Sequence, residues 1–344
     1  MSGAARWAPW AAWGVVVVTA GGIAVSSRLA SAPKALCTAG AMPEQATRGG
    51  DAWYWIERPR GRAAALVACS GGQTRRNVEA PAIGSYAAGN GAVAWTAREG
   101  EGWAVWAADA DGSARVRLTA PKEEPKGVRV LGDRVVWLSS RPGYLAEETP
   151  FVPLGPSVQV LAAPRSGGPV ARLAGLPETV AGEVVGETGG EAVVTALRTG
   201  NPGSTIFYAV PLDGRPTRRL AGQVGHARGI VMPGSGLHWT APSDEAGIGA
   251  SAWRLRRLAK DGSTQNLAEW LPSASQPHEW GGRVYFTTDG TEYGVWASAD
   301  RHGAAQVVPT PPRFTGVAVG SGKMLLRKLE PVRGGVRLYE EALP

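Results

Sequence analysis

The stretch "PKALCTAGA", residues 33–41, follows an uncharged N-terminal segment, yet it has the pattern of a segment that closes a repeat elsewhere in the chain. Its counterparts are "RVRLTAP" at 115–121 and "TRRLAGQ" at 217–223. Leu36 precedes Trp55 by 19 residues, the same separation as Leu118 from Trp137, Leu220 from Trp239 and Leu267 from Phe286. A strand that should end a unit therefore stands before the first one.

Working outward, the unit itself is clearest in "GAVAWTAREGEGWAVWAADADGSARVRLTAP" at 91–121, which reads as a strand around Trp95, a strand around Trp106, an Asp-Gly turn and a strand ending at Leu118. Asp-Gly between apolar runs is a hairpin signal, because the favoured turn needs positive φ at its central positions. It recurs at Asp213-Gly214 and Asp261-Gly262. Anchoring each unit on its first bulky strand residue gives Trp55, Trp95, Trp137, Val194, Trp239, Phe286 and Leu326, spaced by 40, 42, 57, 45, 47 and 40. A further short strand ending in Gly precedes the anchors, as in "GVRVLGD" at 127–133 and "GVAVGSG" at 316–322. Four-stranded units at this period mark a β-propeller.

After Leu326 only 18 residues remain, so the last unit runs out of chain before its fourth strand. Residues 33–41 would supply it, and closure would remove the exposed sheet edges of an open array. The expectation is an all-β, seven-bladed β-propeller of four-stranded blades over 33–344, closed by an N-terminal strand and preceded by one transmembrane or signal-anchor helix with a short linker over 1–32. The run "WAADADGSARVRLT" at 106–119 and "YAVPLDGRPTRRL" at 208–220 resemble the TolB-like propeller repeats, relatives of the tryptophan-aspartate type. The usual Ser-Pro-Asp-Gly turn between the first two strands is replaced by "GNG", "GD" or "GSG". The resemblance implies the fold and an exported interaction platform, with some relatives attached to peptidases or acting as lyases.

Composition agrees with a turn-rich chain that still has a core: 48 Gly and 26 Pro stand beside 44% hydrophobic residues. The net charge of +7 rests on scattered Arg pairs such as Arg75-Arg76 and Arg218-Arg219. No continuous basic stripe accompanies a recognisable module, so nucleic acid is not an expected partner. Charge on exposed outer strands discourages pairing with other chains, and a monomeric propeller is expected.

Residues 7–25, "WAPWAAWGVVVVTAGGIAV", carry no charge and approach the roughly 20 residues that cross a bilayer as a helix. Trp7, Trp10 and Trp13 crowd one end beside Arg6, as at a membrane interface. The reading is a signal anchor with the propeller on the periplasmic or extracellular side. A cleaved signal peptide, with "ASA" at 30–32 before an ill-suited Pro33, stays open.

Strand directions alternate within a blade, so tight Gly turns share one face and the B-C and D-A loops share the other, where A to D name the strands of a unit in chain order. The longest insertion is "SSRPGYLAEETPFVPLGP" at 139–156, in which Tyr144 and Phe151 offer apolar anchors beside Glu147 and Glu148. Long loops on a rigid scaffold are where binding resides. His226, His278 and Glu279 are placed in D-A loops at the channel mouth and complete the candidate binding residues. The expected partner is a protein or glycan of the cell envelope, held without catalysis. The alternative is a lyase or glycosidase using His226, His278 and Glu279 at the channel mouth.

No metal or cofactor is expected: the Cys and His spacings form no ligand set, and the "DADG" run at 109–112 lacks the later ligands of a calcium loop. Cys37 and Cys69 are expected to remain unpaired. Cys69 should end a strand near the tight-turn face and Cys37 should lie late in a strand heading for the other, beyond the roughly 7 Å that a bridge spans.

Overall fold

The computed structural model describes residues 33–343 apart from 121–124, 141–157, 178, 199–200, 225–226, 232–236, 243–252, 260–262, 272–277, 282, 289–293, 298–305, 309–313 and 329–334. The candidate span at 7–25 lies outside the described residues, as do Tyr144, Glu147, Glu148, Phe151 and His226.

Strand β1 (Lys34–Ala39) precedes a first blade of β2 (Glu44–Gly49), β3 (Ala52–Glu57), β4 (Ala64–Ser70) and β5 (Gln73–Ala80). The second blade holds β6 (Ile83–Gly89), β7 (Ala92–Glu99), β8 (Gly102–Asp109) and β9 (Val116–Arg117). The third holds β10 (Pro125–Leu131), β11 (Arg134–Ser140), β12 (Val158–Pro164) and β13 (Ala171–Leu176). The fourth holds β14 (Thr179–Thr188), β15 (Glu191–Arg198), β16 (Asn201–Pro211) and β17 (Arg218–Val224). The fifth holds β18 (Arg228–Val231), β19 (His238–Pro242), β20 (Trp253–Leu258) and β21 (Thr264–Leu271), and the sixth β22 (His278–Trp280), β23 (Arg283–Thr288), β24 (Gly294–Ala297) and β25 (Gln306–Val308). The remaining strands, β26 (Phe314–Gly320), β27 (Lys323–Lys328) and β28 (Val336–Ala342), complete a composite sheet in the order β1-β28-β27-β26.

The expected seven-bladed propeller is therefore corrected, while the helix expected within 1–32 lies outside the described residues. Six four-stranded blades are each built from consecutive strands, the two chain ends meet in the further composite sheet, and no helix occurs among the described residues. Every pairing is antiparallel, and β1 meets β28 with Lys34 opposite Glu340 and Ala39 opposite Val336.

The core lies between sheets rather than within one. Tyr54, Ile56 and Leu66 of the first blade pack with Val93 and Trp95 of the second. Val105 and Ala107 of the second pack with Val128, Val130 and Trp137 of the third. Cys37, Ala39, Leu325 and Leu338 of the composite sheet pack with Trp53, Trp55 and Val67 of the first blade. A second strand has neighbouring sheets on both faces, so its side chains are buried in succession instead of alternating; β3 and β15 are apolar runs for this reason. Trp55, Trp137 and Trp239 are fully enclosed there, and each such side chain contributes about 1.5–3 kcal/mol by leaving water. Outer strands such as β5 and β17 expose the Arg pairs, Arg75-Arg76 and Arg218-Arg219, to solvent.

The expectation of unpaired cysteines is also corrected: Cys37 and Cys69 form a disulfide with Cα atoms 6.4 Å apart. Heights counted along the strands of one sheet do not carry over to its neighbour, because packed sheets are twisted against each other. A bulge between Ala35 and Cys37 shifts β1 further. The outcome is that β1 lies across the β4–β5 turn, with the Leu36 carbonyl beside Gly72 and the Thr74 hydroxyl donating to the Thr38 carbonyl at 3.1 Å.

Two carboxylates reinforce this junction. Glu57, 2% exposed, accepts from the Gly40 amide at 2.7 Å and the Trp55 indole at 3.2 Å, with Arg76 at 3.5 Å. Glu340 on β28 accepts from Arg48, Lys323 and the Trp53 indole, the last at 2.8 Å, while the Arg48 guanidinium lies 5.6 Å from the Trp53 ring. A buried carboxylate is tolerable only when its lone pairs are met in this way.

Candidate functional site: an axial cavity

The first strand of each blade is innermost, and the sequence marks several of these strands with small residues where the blades crowd. A Cβ on Gly49 would sit 2.8 Å from Ala88, and one on Gly320 2.8 Å from Arg48. At Gly127 it would meet Glu183 Cβ at 2.6 Å and the Val184 amide nitrogen at 2.7 Å, and its φ of +59° already lies where side chains are disfavoured.

Bulges interrupt the inner strands at matching places, between Glu44 and Thr47, Ile83 and Tyr86, and Lys126 and Arg129. An extra residue bends a strand and re-aims the side chains beyond it. Immediately beyond these bulges stand Thr47, Tyr86 and Arg129. Together with Gln45, Ser85, Ala87, Ala88, Glu183 and Val185, they line a cavity of about 390 Å³ among β2, β6, β10 and β14.

Tyr86 is part of the wall. Its hydroxyl lies 2.6 Å from the Gln45 carbonyl oxygen and 2.7 Å from that of Tyr54, fastening the second blade to the first. Burial pushes its pKa well above the ordinary value, against the opposing pull of the Thr47 backbone and the Arg129 charge, so it stays a neutral donor. Ser85 is held from β7, where the Thr96 hydroxyl accepts from its amide at 2.9 Å.

Arg129 differs. One guanidinium nitrogen donates to the Val128 carbonyl at 2.9 Å, and no carboxylate among the described residues closes an ion pair with it. Burial lowers its pKa, while the charge of Glu183 opposes the shift, and an arginine remains protonated throughout. Five N–H donors sit on that group, and the Val128 carbonyl takes one of them. Glu183, on β14, is an exposed carboxylate on the same lining. No group of three metal-ligating side chains occurs among the described residues.

Of the residues singled out from sequence, the structure describes only the backbone at His278 and Glu279. They are not loop residues: they begin β22, the first strand of its sheet, opposite Tyr285 and Val284. Arg129 was legible only as a lone cation inside "GVRVLGD", whose place beyond a bulge no pattern announces.

No protein-family model matches the chain, and no curated protein matches it. Solved structures do. An acylaminoacyl peptidase of Pyrococcus horikoshii superposes with a TM-score of 0.59 at 13% identity, over 90% of this chain and 52% of that one. An oligogalacturonate lyase in complex with manganese superposes with a TM-score of 0.57 at 12% identity, over 86% of each chain. TolB from Acinetobacter baumannii aligns with a TM-score of 0.48 at 15% identity, over 83% of this chain and 62% of that one. The chain thus spans about half the length of the peptidase. At these identities the likeness is one of fold, the β-propeller.

Proposed function

We propose that the chain is a membrane-anchored, exported binding propeller of TolB-like use, holding a protein or glycan partner of the cell envelope on the face of its B-C and D-A connections and admitting part of it to the axial cavity. The observation that carries this reading is the cavity itself, bounded by inner strands that four blades hold rigidly and lined by hydrogen-bonding and charged groups. Support also comes from the connections. Most A-B turns are two residues long, as at Asn90-Gly91 and Gly132-Asp133, with six residues, 232–237, between β18 and β19, whereas the B-C connections vary from two residues, 100–101, to seventeen, 141–157. Variable connections on a fixed frame are the usual seat of recognition. The uncharged segment at 7–25 supports anchoring.

The test is capture of partners from envelope extract by the full chain, by a variant lacking 140–156, and by H278A and E279A. Loss of the same partners on deletion, with retention by the two point variants, supports the reading. Identical partners with and without 140–156 would exclude that face as the binding surface, and turnover of an envelope polymer abolished by H278A or E279A would replace binding with catalysis.

A further inference from the structure

We propose that the axial cavity is a site for a small zwitterion, with Arg129 holding a carboxylate and Glu183 a nearby ammonium group, as in an amino acid or short peptide with free ends. The inference rests on the reading of the propeller as a binding module and names the ligand class of its cavity.

Three observations carry it. Arg129 is drawn into the interior by β10, uses one donor on the Val128 carbonyl, and is left with a planar fork whose geometry matches a carboxylate in two parallel hydrogen bonds. Glu183 lines the same cavity without neutralising that guanidinium in an ion pair, so two opposite charges stay separately available. The cavity of about 390 Å³ falls at the small end of ligand sites, and its Ala87, Ala88 and Val185 surfaces suit short aliphatic groups.

Charge narrows the choice. One cation and one anion on the lining sum to zero, so a phosphate dianion would meet Glu183 as a repulsion, and a divalent cation would meet Arg129 as one. A ligand carrying both charges pairs with both groups at once. Thr47, Ser85 and Gln45 add hydroxyl and amide groups that can receive the remaining hydrogen bonds.

The experiment is calorimetric titration of the full chain with L-alanyl-L-alanine, its N-acetyl form and its C-terminal amide. The expected result is binding of the free dipeptide, weakened about tenfold or more by amidation, and less by acetylation. In R129Q the free acid and the amide should bind alike, and in E183Q the free and acetylated amines should bind alike. R129K keeps the charge but loses the fork, and should weaken the free acid selectively; it decides the matter if R129Q does not fold. Absence of dipeptide binding, or equal discrimination by wild type and R129K, overturns the proposal. Partner capture that persists alongside such a failure would leave the binding module standing and remove only its ligand class.

Discussion

Cys37 and Cys69 are bonded across the junction between the composite sheet and the first blade, so the strand that opens the propeller is tied covalently to the sheet beside it. The bond closes a loop of 32 residues' separation. Limiting the unfolded chain in this way is worth about 3–4 kcal/mol. Reduction, or the C37A/C69A pair, should lower the denaturant midpoint by a matching amount. Equal unfolding curves with and without reductant would show that the junction is held by packing alone.

Glu57 sits on the same junction and gathers the Gly40 amide, the Trp55 indole and Arg76. Replacing it by Ala leaves the Gly40 amide and the Trp55 indole without this acceptor, while the half-exposed Arg76 can turn to solvent. Leaving a buried donor without its acceptor costs about 1–3 kcal/mol. E57Q keeps two acceptor lone pairs and should lose less, which urea denaturation of the two variants will resolve.

Glu340 makes stability depend on acid. Burial raises its pKa, but the hydrogen bonds from Lys323, Trp53 and Arg48 together outweigh burial and hold it below the ordinary 4.5. A carboxylate lowered by folding stabilises above its unfolded value and loses that contribution as pH falls through its folded value. The wild type should therefore lose stability on acidification below about pH 4.5, and E340Q should be less stable at neutral pH with a flatter acid limb. Parallel pH profiles for the two proteins would contradict this.

Gly127 brings the inner strands of the third and fourth blades together beside the cavity. In G127A the new methyl must displace Glu183 and the Val184 backbone from a backbone with φ of +59°. Strain and overpacking each cost about 1–3 kcal/mol, so thermal unfolding should shift clearly downward. G132A, with φ of +58° but open space around it, separates the two contributions.

The strand pattern was legible because a repeat writes the same physical requirement several times. Trp55, Trp95 and Trp137 each occupy a second strand buried on both faces, and Leu36 stands in register with Leu118 because the same hairpins come after both. The joining of one blade to the next was not legible. The meeting of Cys37 with Cys69 depends on twist and on a bulge, neither of which leaves a residue signature of its own. The cavity was hidden for a related reason: Arg129 reads like any of the solvent-facing arginines until the bulge turns it inward.

The pairing of β1 with β28 also sets an order of events during synthesis. Lys34 leaves the ribosome about 300 residues before its partner Glu340, which at typical elongation rates is a wait of roughly a quarter of a minute to a minute. Cys69 emerges far sooner. In an oxidising compartment the bond to Cys37 can hold the early strand beside the first blade throughout that interval, keeping its edge from a wrong partner until translation delivers the right one.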